Sequence, residues 1–152
     1  MPDLVTHLCS AQFARRGLFG RFFPLFTLGV ILPDILSRPV HILFPASYPF
    51  VQPLHSPAVC VLYCALIAIL FVPALRRAAF ACLLAGVVLH LVLDAFQKQL
   101  GPEYLWLFPF SWRSGCIGLF WPEQALFFLP ITLAVTVLVT LRRRRRGSPT
   151  GF

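Results

Sequence analysis

Long apolar runs, separated by short clusters of arginine and proline, set the pattern of this chain. Four runs stand out: FFPLFTLGVILPDIL (22–36), PAVCVLYCALIAILFVPAL (57–75), AAFACLLAGVVLHLVLDAF (78–96) and EQALFFLPITLAVTVLVTL (123–141). The last three approach the roughly 20 residues that cross a bilayer core as a helix, whereas 22–36 is shorter and is expected to lie only partly embedded. Residues 3–16, apolar on one side and ending in Arg15 and Arg16, form a fifth candidate helix. Only Arg76 and Arg77 separate 57–75 from 78–96, so these two runs read as a tight helical hairpin.

Local signals place the boundaries. Ser56 before Pro57 is an N-cap followed by the helical position where proline loses no hydrogen bond, so a helix is expected to begin there with His55 just outside its mouth. Trp121-Pro122-Glu123 opens the last run in the same way, and Pro73 and Pro130 are read as kinks inside apolar runs. The segment YLWLFPFSWRSGCIGLFW (104–121), aromatic and broken by proline and glycine, suits a re-entrant or interfacial loop at headgroup level. The pattern therefore predicts an all-α integral membrane bundle of four to five helices. Residues 1–146 would form one membrane-embedded domain and 147–152 a short cytoplasmic tail.

Composition agrees. Hydrophobic residues make up 59% of the 152, above the roughly 45–50% usual in soluble domains. The net charge of +8 sits in clusters at the ends of apolar runs, with no zinc-finger, helix-turn-helix or RNA-binding pattern beside it, so membrane lipid rather than nucleic acid is the expected partner. The start, MPDLVTHLCSAQFARRG, has an acid before its apolar part and arginines after it, the reverse of a signal peptide, and is expected to be retained. Placing Arg15, Arg16 and Arg21, then Arg76 and Arg77, then Arg142 to Arg146 in the cytoplasm puts ten of the 13 basic residues inside. The C-terminus is then cytoplasmic, with its five arginines a topology signal on anionic lipid.

On that threading His90 and Asp34 each stand 13 residues from an arginine cluster, about 20 Å from the cytoplasmic turn at 1.5 Å per residue. His55 and Asp94 come out at about 31 and 26 Å, and His7 at about 13 Å if its segment is helical and inserted. His90 and Asp94, four apart in GVVLHLVLDAF, share one helix face. Asp34, His55, His90 and Asp94, from three helices, are read as one layer, with His7 apart from it at lesser depth. Imidazole and carboxylate groups are the ligands a divalent cation such as zinc prefers, which makes His7, Asp34, His55, His90 and Asp94 a candidate metal set, sufficient for one ion or two. Structural alternatives stand beside it: Asp94 paired with Lys98, Asp34 with Arg38, and His90 bonded to a neighbouring helix. Arg113 is either an anion-orienting residue or an interfacial anchor, Glu103 a candidate general base, and His41 a surface residue. Cys60 and Cys64 share a helix face but have no second cysteine pair, and read mainly as small hydrophobes.

THL (6–8), GVILPDI (29–35), LHS (54–56), LHLVLD (89–94) and LWLFPFSW (105–112) stand in the order and approximate spacing of a known family. Over about residues 5 to 112 the chain resembles the bacterial inner-membrane metal-dependent hydrolases, themselves distantly similar to zinc-dependent phospholipase C. The resemblance implies metal ligands at His7, Asp34, His55, His90 and Asp94, with Ser56 supporting them. Many members have a Pro-Asp-Ile-Asp sequence where this chain has PDILSRP, and the missing second acid counts against two metals. The implied function is metal-assisted hydrolysis, water activated by the ion attacking a phosphoester or similar bond of a lipid or envelope substrate. A non-catalytic membrane protein with a structural or transport-related metal or proton site is the alternative. The inner halves of the runs, CALIAILFVPAL and AAFACLLAG, carry no ionisable group before the arginines beyond cysteine, which argues against passage of ions.

Overall fold

The computed structural model describes residues 4–13, 19–98, 104–119, 121, 130, 131 and 133–142, and among these the chain is helical with no strand. Helix α1 is Leu4–Phe13, α2 Phe23–Leu43, α3 Tyr48–Val51, α4 Pro57–Ile69 and α5 Pro73–Phe96. A further helical stretch, α6, is Leu133–Arg142. Tight 3-10 turns at Gly20–Phe22, Pro45–Ser47 and Gln52–His55 join or flank the first four.

Two helices are long and apolar enough to cross a membrane, Gly20–Leu43 and Pro73–Phe96. Pro45–His55 and Pro57–Ile69 together form a third apolar path, broken by a bend of 77° at His55 and Ser56. The described residues thus hold two or three candidate spans, where the sequence pattern suggested four or five. Over their described residues α1 and α6 are shorter than a span, and residues 122–129, most of the first half of the expected last span, lie outside the described residues.

Three boundaries differ from expectation. Helix α2 does not stop at residue 36 but runs through Pro33 and Pro39 to Leu43, which makes the short run long enough to cross a membrane. Polar side chains there fold back onto the helix itself: the Ser37 hydroxyl donates to the Pro33 carbonyl at 2.9 Å, and Arg38 pairs with Asp34 one turn back. The α4–α5 hairpin turns at residues 70–72, not at the arginines. Pro73 is not a kink but the first residue of α5, where proline is favoured, and Arg76 reaches back to donate from Nε to the Phe71 carbonyl at 3.0 Å. Ser56 caps α4 as expected, its hydroxyl accepting from the Val59 N–H at 3.4 Å.

The buried face of α5 is a stripe at helical spacing: Ala79, Cys82, Leu83, Gly86, Val87, His90, Leu91 and Asp94. That of α2 is Phe26, Gly29, Val30, Pro33, Asp34 and Ser37, with Leu32 beside it. The two stripes meet where glycine lets the backbones touch. A Cβ built at Gly29 would collide with the Leu83 carbonyl, and one at Gly86 with the Phe26 carbonyl. In lipid, apolar faces gain little from hiding against each other, so close approach at small residues is what holds such helices together. Leu32, Leu83, Val87 and Leu91 then pack with Cys60, Tyr63 and Cys64 of α4. Ala11 of α1 joins Phe26 and Val30 on the other side of α2. The outward faces stay apolar, with Leu62, Leu66, Ile69 and Val88 all exposed.

The aromatic segment folds back on the end of α5. Ile117 and Gly118 donate backbone N–H groups to the Ala95 carbonyl, and Leu119 donates to Phe96. Tyr104 bridges to Gly115, and the Trp106 indole donates to the Gly115 carbonyl at 2.6 Å. The peptide before Pro109 is cis.

Candidate metal centre

The helix stripes that build the core also carry its polar end. Asp34 lies one turn beyond Val30 on α2, and His90 and Asp94 continue the α5 stripe past Val87. His55 is delivered by the break before α4, and His7 by α1. All five residues of the predicted set come together. His7, Asp34, His90 and Asp94 are at most 3% exposed and His55 is 9% exposed.

His90 is the hub. Its Nδ1 is 2.7 Å from the Val30 carbonyl, an oxygen that can only accept, so Nδ1 carries the proton and donates. Its Nε2 faces the other way, 3.1 Å from Asp94 Oδ2 and 3.9 Å from Asp34 Oδ1. Beyond these, His7 Nε2 stands 3.4 Å from Asp94 Oδ1 and His55 Nε2 3.3 Å from Asp34 Oδ1. The rings are close as well, with centroids of His7 and His90 4.5 Å apart and those of His55 and His90 5.6 Å apart.

Two overlapping triads result, His7–His90–Asp94 and Asp34–His55–His90, each with its ligand atoms within 4.8 Å of one another. Ligand atoms about 2.0–2.1 Å from a tetrahedral zinc are roughly 3.3–3.4 Å apart, close to the 3.4, 3.3 and 3.1 Å of three of the four histidine–aspartate pairs, the fourth being wider at 3.9 Å. Charge points the same way. Two carboxylates reach the same imidazole nitrogen, so their nearest oxygens are no more than about 7 Å apart, a repulsion of roughly 2 kcal/mol or more at an effective dielectric constant of 20. His90 Nε2 and both Asp94 oxygens nonetheless make no hydrogen bond of good geometry. Buried polar atoms left that way are uncommon, and a cation between them would satisfy all three. The donor set therefore fits a divalent ion. His90 held by a backbone carbonyl through its other nitrogen is also how metal-binding imidazoles are usually oriented.

Since only Nε2 of His90 can ligate, the triads cannot each use it for a separate ion. Both structural alternatives for Asp34 and His90 are also realised: Arg38 Nη2 lies 2.8 Å from Asp34 Oδ2, and His90 does bond the neighbouring helix. The alternative pairing of Asp94 with Lys98 is not formed. Asp94 turns into the cluster, and Lys98 sits over the Trp121 ring at 4.9 Å.

Arg113 lies on the exposed loop, outside the cluster. Glu103 falls outside the described residues. His41 is on α2 with its ring edge-on to Tyr48, away from the five. Cys60 and Cys64 belong to the apolar core, where the Tyr63 hydroxyl donates to Cys60 Sγ at 2.7 Å. Three features escaped the sequence reading: the Val30 carbonyl, the Gly29–Gly86 crossing that brings it to His90, and Tyr104, whose ring packs on His55 at 5.5 Å. Two lone glycines in the middle of apolar runs were the available signal for the crossing.

The structure thus defines a helical protein with two or three membrane-length apolar paths and a buried histidine–aspartate centre able to hold a metal ion. No protein-family model, curated protein or solved structure matches the chain.

Proposed function

We propose that the chain is an integral membrane protein that holds one divalent cation, zinc by its ligand chemistry, and acts as a metal-dependent hydrolase on a phosphoester or similar bond of a lipid or envelope molecule. The observation that carries this reading is the arrangement at His90: one ring nitrogen fixed by Val30, the other aimed at two carboxylates with no aligned proton between them. His7, His55, His90, Asp34 and Asp94 would hold the ion. When bound, it would supply Lewis acidity, lowering the pKa of a water molecule and polarising a phosphoryl oxygen.

The chain's own residues supply the rest. Val30 fixes the His90 tautomer, the Gly29–Gly86 crossing fixes Val30, and Tyr104 packed on His55 screens the site on the side of the aromatic loop. A cavity of about 400 Å³ lined by Ala95, Trp106, Gly115, Cys116 and Ile117 lies at the end of α5 that carries Asp94. Its apolar wall supports a substrate with a hydrocarbon part. The reading includes the bacterial inner membrane as location, arginine clusters inside and the site toward the outer face, and membership of the hydrolase family that the motifs resemble.

A second reading has its own support, since every Nε2 of the three histidines lies within ion-pair distance of a carboxylate oxygen. Protonated imidazoles would then clamp the helices together without metal. The test is turnover of a phosphodiester lipid in mixed micelles by protein stripped with chelator and reloaded with zinc. Hydrolysis that returns with zinc and is absent in His90→Ala supports the hydrolase. Fully zinc-loaded wild type that leaves every phosphodiester intact overturns it.

A further inference from the structure

We propose that Arg38 is the residue that makes this centre selective for an anionic substrate group, a phosphoryl monoanion; the inference rests on the metal reading above. A divalent ion balances the two carboxylates of Asp34 and Asp94 when the histidines bind as neutral ligands. Arg38, 2.8 Å from Asp34 Oδ2, then leaves the centre with one net positive charge. A buried centre with that surplus binds a monoanion more readily than a neutral ester, because the incoming charge is compensated where water cannot do so.

Position supports the role. Arg38 stands one turn beyond Asp34 on α2, and its side chain is 23% exposed where the side chains of His7, Asp34, His90 and Asp94 are at most 3%. It is therefore at the rim, reachable by a group that approaches the buried ligands from outside. A guanidinium can serve two acceptors at once and matches the paired oxygens of a phosphoryl group, which an ammonium does not. Among the described residues, Arg38 is the arginine or lysine that pairs with a member of the cluster, while Arg113, which the sequence offered for this task, is exposed on a separate loop.

The same contact also orients Asp34, so the experiment must separate substrate recognition from ligand positioning. Cobalt(II) replaces zinc in the purified protein, and its visible absorption is followed while inorganic phosphate, or dihexanoyl phosphatidylglycerol below its micelle concentration, is titrated in. Wild type is expected to bind cobalt and to change its spectrum with one or both anions, the tighter one identifying free phosphate or lipid headgroup as the source. Arg38→Met should keep its cobalt but bind the anion at least about tenfold more weakly, as expected for loss of a charge-assisted hydrogen bond. Arg38→Lys, which keeps the charge and loses the fork, should fall between the two. Equal anion affinity in wild type and Arg38→Met, or no response to either anion in cobalt-loaded wild type, overturns the role of Arg38 and leaves the metal site standing. Loss of cobalt from both variants reduces Arg38 to a positioning residue for Asp34, and failure of wild type to take up cobalt removes the metal reading itself.

Discussion

Gly86 has no chemistry, yet substituting it should damage the centre. Gly86→Ala puts a methyl group where the Phe26 carbonyl and the Val30 N–H already lie, so α2 and α5 must separate by roughly 1 Å to restore ordinary contact. A shift of that size stretches the 2.7 Å bond from His90 Nδ1 to the Val30 carbonyl beyond hydrogen-bonding range. Alanine favours the helix over glycine by up to about 1 kcal/mol. Against that stand about 1–3 kcal/mol for overpacking and a similar amount for a buried N–H left without its acceptor. The loss outweighs the gain, and thermal unfolding in detergent should show a less stable protein. Zinc affinity, measured by competition with a chromophoric chelator, should fall about 10- to 100-fold, the usual consequence of losing the group that orients a metal-binding histidine. Val88→Ala, close by on α5 but facing outward, serves as the control and should leave zinc affinity unchanged. A Gly86→Ala protein as stable as wild type, with the same zinc affinity, would refute the claim that the glycine crossing positions His90.

Asp94→Asn should separate the metal reading from the ion-pair reading. If the carboxylates repel in metal-free protein, the amide lowers zinc affinity without lowering metal-free stability; if they pair with protonated histidines, thermal unfolding should report a loss of about 3–5 kcal/mol. Ser56→Ala removes the cap that starts α4 beside His55, and unfolding should show a loss of about 0.5–2 kcal/mol. Bound zinc should leave as the pH is lowered, because protons compete for the same imidazole nitrogens, and release can be followed with a zinc-sensitive dye. Retention of zinc in strong acid would mean that the histidines are not its ligands.

Part of the site was legible because helical spacing is a property of sequence. His90 and Asp94 continue the spacing of Leu83 and Val87, so their presence on the buried face followed from the 3.6-residue period. Counting residues from the arginines set Asp34 and His90 at one height, and the two do meet, but the same count set His7 and His55 about 18 Å apart in depth, and both reach the one cluster. Less of the fold was legible. Proline and charge at Ser37-Arg38-Pro39 usually end an apolar run, while here the side chains of Ser37 and Arg38 fold back onto the preceding turn and α2 continues. Charge at Arg76 and Arg77 points to a hairpin there, but the preference of Pro73 for the first helical position sets the start of α5. Partner choice was hidden too: nothing in LVLDAFQK tells whether Asp94 turns toward Lys98 or into the core, since that depends on which helix covers the face.

Metal content decides between an ion and a set of salt bridges. Protein purified in detergent, loaded with zinc and dialysed against buffer, should retain about one zinc per chain by mass spectrometry of the elements, with His41→Ala like wild type and His90→Ala nearly empty. Trace zinc in wild type, or equal zinc in wild type and His90→Ala, would mean that these histidines and aspartates hold each other and not a metal.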